Sequence, residues 1–171
     1  MNELVYSLSL VGLLFETGFA QCNQVVRHAE KQGNRVVIKS TSAGSIWTEP
    51  VQYKQVTEKG VTQFYIHLYA LGGSLTDQQG ASIFFKDGTV LEWPETKVRA
   101  AFGETAPMNQ CKIKLTESEI EQFQEKRISS IKLAGQERSL TTAQSQRAQD
   151  IINCVIYANY CDIKSDKLIN Q

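Results

Sequence analysis

The sequence predicts an α+β fold: one antiparallel sheet built of hairpins and covered by two helices near the C-terminus. Three observations carry that expectation. Short β-branched and aromatic runs recur through the first two thirds, separated by Gly-containing turns. The last third switches to helical spacing behind a capping sequence. The chain has 171 residues, 42% of them hydrophobic, enough for one domain with a real core.

Residues 21–34 are polar and suggest no definite element. Residues 35–40 (RVVIKS) are β-branched and read as a strand, followed by a small polar loop over 41–45. Residues 51–58 and 61–71 flank Lys59-Gly60, a hairpin signal. After a connection over 72–80, residues 81–86 (ASIFFK) and 89–93 (TVLEW) enclose Asp87-Gly88. That dipeptide reads as a two-residue type I′ turn, and Pro94 is expected to end the second strand.

The final third has sharper signals. Residues 111–115 (CKIKL) alternate as a strand, and Thr116-Glu117-Ser118-Glu119 is a capping box. The helix behind it puts Ile120 and Phe123 one turn apart, facing the core. Residues 128–133 (ISSIKL) form a strand, Gly135 begins a turn, and 138–140 make a brief return. Thr141-Thr142 can cap a last helix from about 143 to 160. Ile151, Cys154, Val155, Ala158 and Cys161 mark its buried stripe.

The N-terminus is composed differently. Residues 4–15 are mostly apolar, and Gly18-Phe19-Ala20 places small residues where a signal peptidase inspects them. Residues 1–20 are therefore read as a signal peptide, and 21–171 as a single α+β domain. Met1-Asn2-Glu3 lacks the usual positive charge and Glu16 interrupts the apolar run, which leaves a buried N-terminal helix as the alternative. The run is short for a membrane span. Gln21, preceding Cys22, is not the small residue a lipoprotein signal wants. The expectation is an exported protein, periplasmic or secreted, with no transmembrane span in the mature chain.

Four cysteines, Cys22, Cys111, Cys154 and Cys161, suit two disulfides in an oxidising compartment. Cys154 and Cys161, seven residues apart on one helix, would sit about 10 Å apart along its axis. A disulfide needs Cα atoms within about 7 Å, so unless the helix ends between them each must look upstream. The preferred pairing is Cys111 with Cys154 and Cys22 with Cys161, tying both chain ends to the core. Free buried thiols are the alternative. No metal site is expected, since no C-x-x-C pair occurs and His28 beside Cys22 is a poor substitute.

Lys plus Arg balances Asp plus Glu at 18 each. A nucleic-acid partner usually demands a basic surplus, so none is expected. The phosphate loop, the dinucleotide fingerprint and the G-x-S-x-G elbow are absent from the sequence, and no cofactor is expected. One constellation suggests a site. Across residues 64–71, Phe64, Ile66, Leu68 and Ala70 fall on one face and Tyr65, His67 and Tyr69 on the other. Rings with polar tips can stack on a sugar or peptide while hydrogen-bonding it. Ordinary cross-strand packing of aromatics is the plainer explanation of the same stripe. Trp47 and Trp93 could extend it, or serve as core or sheet-edge anchors.

Residues 111–157 resemble the C-terminal part of uncharacterised exported proteins of Bacteroidota-type bacteria. The resemblance lies in KLTESEIEQFQEKRISSIKL, a Gly-containing turn, and a helix carrying AQDIINCVIYA. It implies a strand, a capped helix, a second strand and a closing helix with a cysteine, and it supports pairing Cys111 with Cys154. It implies no activity. The functional expectation is a non-enzymatic module of the envelope or secreted fraction that binds a protein, peptide or glycan. The alternatives are a hydrolase using His67 as general base and a structural or assembly subunit.

Overall fold

Among the described residues nine strands form one antiparallel sheet, and two helices near the C-terminus cover it. The computed structural model describes residues 20–29, 35–41, 49–72, 78–102 and 107–158. Residues 1–19 of the expected signal peptide (residues 1–20), Trp47 and Cys161 lie outside them.

A 3-10 turn, Ala20–Gln24, leads into β1 (Val25–Ala29), then β2 (Arg35–Ser40), β3 (Val51–Glu58) and β4 (Val61–Leu71). Next come β5 (Gln78–Phe85), β6 (Val90–Phe102) and β7 (Pro107–Leu115). Helix α1 (Glu117–Glu125), β8 (Ile128–Leu133), β9 (Gln136–Ser139) and α2 (Thr142–Ile156) complete the order. The spatial order is β1-β2-β3-β4-β7-β6-β5-β8-β9. The sheet curls, so that the far end returns to its middle: Arg138 Nη1 donates to the Tyr69 carbonyl at 3.3 Å, and the Gln136 side chain lies against Gly72.

The expected hairpins are present, with two corrections. Gly88 N–H bonds the Phe85 carbonyl at 3.1 Å, and Phe85 N–H bonds the Thr89 carbonyl. Gly88 has φ +86° while Asp87 is not left-handed, so the connection is a three-residue loop rather than a type I′ pair. Gly88 supplies the left-handed step that closes it. Pro94 does not end its strand: β6 continues to Phe102. The register jumps from Gln79↔Lys97 to Ala81↔Trp93, so Pro94 falls within a bulge where its missing N–H costs no ladder bond. This irregularity lets the first half of β6 pair with β5 and its last residues pair with β7.

The inner face follows strict alternation. Ile66, Leu68 and Ala70 on β4 are wholly buried, with Tyr53, Ile83, Ile131 and Leu133 contributed by their neighbours. Phe123 of α1, 1% exposed, wedges between Tyr53 and Phe85, with ring centroids 6.0 Å and 5.5 Å away. Both helices begin in complete capping boxes, Thr116 with Glu119 and Thr141 with Gln144. Helix α2 buries Ile151, Ile152, Cys154 and Val155 against the sheet and ends at Ile156.

The cysteines pair differently from expectation. Cys22 is bonded to Cys154 with Cα atoms 5.4 Å apart, and Cys111 is a free buried thiol. The Cys111–Cys154 pairing, and with it Cys22–Cys161, is therefore corrected. The 3-10 turn carrying Cys22 packs against α2. Cys111 points into the core from the middle of β7, opposite Leu68, where burial pushes its thiol up to about 12. The bond links the start of the described fold to its last helix, and it fits an oxidising compartment. Among the described residues no helix is long and apolar enough to cross a membrane.

Candidate functional site

Tyr65, His67 and Tyr69 do share the outer face of β4, each half-buried. The pairing of β4 decides their surroundings. Tyr65 lies between Lys54 of β3 and Lys114 of β7, and His67 between Gln52 and Lys112. Tyr69 is opposite Gln110, which in turn faces Arg99 of β6. Lys54 is paired across to Lys39 of β2. The stripe is thus the axis of a cationic face.

Two depressions lie on either side of Lys112. One, of about 380 Å³, is lined by Arg35, Lys54, Glu58 and Tyr65 among others. The other, of about 440 Å³, is lined by His67, Thr96, Lys97, Arg99, Gln110 and Cys111. Lys112 belongs to both. Their described linings hold six basic side chains and one carboxylate, Glu58, which stands 3.8 Å from Arg35. The balancing acid lies elsewhere: α1 carries four glutamates and no basic residue.

The charges are close enough to perturb one another. Lys54 is held below the usual lysine range by partial burial, then by the positive charges of Lys112, Arg35 and Lys39. His67 is lowered to about 4, first by burial and then by Lys112 and Lys54, so it is neutral at pH 7. Its Nε2 is buried and has no hydrogen-bond partner among the described residues. A general base needs a hydroxyl or carboxylate in contact; the charged neighbours acting on His67 are lysines.

The rings are not a bare stacking surface. The Lys112 ammonium sits 4.0 Å from the Tyr65 ring centroid, so a cation already occupies one face. The Tyr65 hydroxyl donates to Gln63 Oε1, and the Tyr69 hydroxyl to Gln52 Oε1 at 3.4 Å. Trp93 does not join them. It pairs with core-facing Ala81, packs against the core, and its Nε1 donates to Glu119 of α1 at 2.9 Å.

The cations are the residues of this face that the sequence reading missed. Alternation alone placed Lys112 and Lys114 on one side of CKIKL. What put them beside Tyr65 and His67 was the pairing of β7 with β4 across the 35 residues that separate the two strands, which no local pattern encodes. A separate depression beside α2, lined by Asn23, Gln24, Arg147 and Asp150, is a weaker candidate because its charges are already engaged. Arg147 meets the buried Glu49 at 3.4 Å, and Gln146 donates to Asp150. Among the described residues no His, Cys, Asp and Glu cluster could hold a metal. Comparison with protein-family profiles, curated proteins and solved structures finds no match to this chain.

Proposed function

We propose that this protein is a non-enzymatic binding module of the cell envelope or secreted fraction, and that it binds through the outer face of β2, β3, β4, β7 and β6. The observation that carries this reading is the gathering of basic side chains around the Tyr65-His67-Tyr69 stripe, with one opposing carboxylate in the depressions. Like charges directly across a sheet, as at Lys39 and Lys54, oppose folding. A surface that concentrates them costs stability and is best explained by a ligand that neutralises them. The rigid sheet beneath, fully paired through β3, β4 and β7, holds these groups in fixed register.

Export is supported by the Cys22–Cys154 bond and by the apolar N-terminal sequence. The test is binding of the full chain to a panel of glycans and peptides, with Tyr65→Ala/Tyr69→Ala as the probe variant. Binding should be lost while the thermal midpoint shows the variant folded. Undiminished binding by that folded variant would move the site off this face.

A further inference from the structure

We infer that the ligand of this face is an acidic polysaccharide, a linear glycan bearing carboxylate or sulfate groups that crosses the strands from β2 to β6. The inference rests on the binding reading above and names its ligand. Five adjacent strands at about 4.8 Å spacing make a track roughly 19 Å wide. Lys39, Lys54, Lys112, Lys97 and Arg99 lie along it from one side to the other, bracketing the stripe. Charge complementarity demands an anion, and the width demands one with repeated charges.

The chemistry between the cations selects among polyanions. Gln63 and Gln110 carry amides on this face, so groups that hydrogen-bond sugar hydroxyls alternate with groups that attract acids. Single-stranded nucleic acid is bound by aromatic rings on which bases stack. Here Tyr65 already carries Lys112 on its ring, and both tyrosine hydroxyls are tied to glutamines. An acidic peptide would gain most by adding to a sheet edge, but β3, β4 and β7 are paired on both sides. The cations are mostly lysines, compact point charges without the planar fork that fixes one bidentate acid. That suits a chain whose acid groups repeat along its length. The two depressions beside Lys112 give such a chain places to settle, which a flat anionic membrane would not use.

The experiment titrates the full chain with polygalacturonate, dextran sulfate and neutral dextran, alongside polyglutamate and a single-stranded oligonucleotide. Titrations are run at low and high salt. The acidic glycans should bind and neutral dextran should not, and binding should weaken as salt shortens the screening length. The two acidic glycans distinguish carboxylate from sulfate recognition. Lys54→Ala/Lys112→Ala should weaken binding about tenfold, as expected for losing two exposed ion contacts. It should fold normally, because it relieves repulsion. Lys86→Ala/Lys132→Ala, with the same charge change elsewhere on the surface, should bind like the parent. Equal losses in the two variants would overturn the site. Tighter binding of polyglutamate or the oligonucleotide would overturn the glycan assignment and leave the face as the binding surface. If no polyanion binds at low salt, this inference fails. The binding reading would still stand if another ligand is lost in Tyr65→Ala/Tyr69→Ala.

Discussion

Acidification should destabilise the fold through His67 in a defined window. The imidazole is half-buried between Gln52 and Lys112, and burial, then the charges of Lys112 and Lys54, lower it to about 4 in the folded chain, against an ordinary 6.5. As pH falls through 6.5 the unfolded chain takes up a proton that the folded chain refuses. Stability is therefore full above 6.5 and is lost progressively down to about 4. That gap corresponds to a ceiling of about 3.4 kcal/mol at 1.36 kcal/mol for each pH unit. Solvent screening of a partly exposed group reduces it to about 1–2 kcal/mol. Urea unfolding at pH 7 and pH 4.5 should show the parent losing that much more than His67→Gln, with carboxylate titration common to both. Lys112→Gln should raise the His67 pKa, read by proton NMR with His67→Gln to identify the resonance. An equal acid loss in His67→Gln, or a His67 midpoint at or above 6.5, would refute the account.

Non-reducing digestion should yield a peptide pair joined through Cys22 and Cys154, with Cys111 alkylated only after unfolding; a Cys111–Cys154 pair would contradict the structure. Cys22→Ser/Cys154→Ser should lose up to about 5 kcal/mol, since the bond closes a loop with a sequence separation of 132; a loss below about 1 kcal/mol in urea unfolding would show the cross-link contributes little. Phe123→Ala should cost about 3–5 kcal/mol and lower the thermal midpoint by roughly 10 °C, because the ring fills the space between Tyr53 and Phe85. Glu119→Ala removes the acceptor of both the Thr116 N–H and the Trp93 indole N–H; it should cost about 2 kcal/mol and shift the tryptophan emission, and an unchanged spectrum would argue against that contact.

The local elements were legible because local physics makes them. Lys59-Gly60 has positive φ at both positions and turns β3 into β4 in register, as the dipeptide implied. The capping box at Thr116 formed because its two halves lie within one turn of helix. Alternation sorted Ile66, Leu68 and Ala70 from Tyr65, His67 and Tyr69 because successive strand residues must face opposite ways. Where the sequence misled, a local signal met a longer-range one. Pro94 reads as a stop, yet the bulge opposite Gly80 accommodates it and β6 runs on to reach β7. Cys111 looked like the natural partner of Cys154, but it lies mid-strand among core side chains, while the turn bearing Cys22 comes to α2.

By itself, then, the sequence determined the α+β class, the hairpins, both helix starts and the existence of an aromatic stripe, all of which depend on interactions within a few residues. Strand order, the disulfide partner and the charge on the candidate face were decided only in three dimensions. A count of 18 acids and 18 bases says nothing of where they go. Setting β7 between β4 and β6 brought Lys112, Lys97 and Arg99 beside His67, while α1 took acid to another part of the surface. Pairing between strands far apart in sequence is fixed by the total burial of the inner face, and the outer face inherits whatever neighbours that pairing gives it.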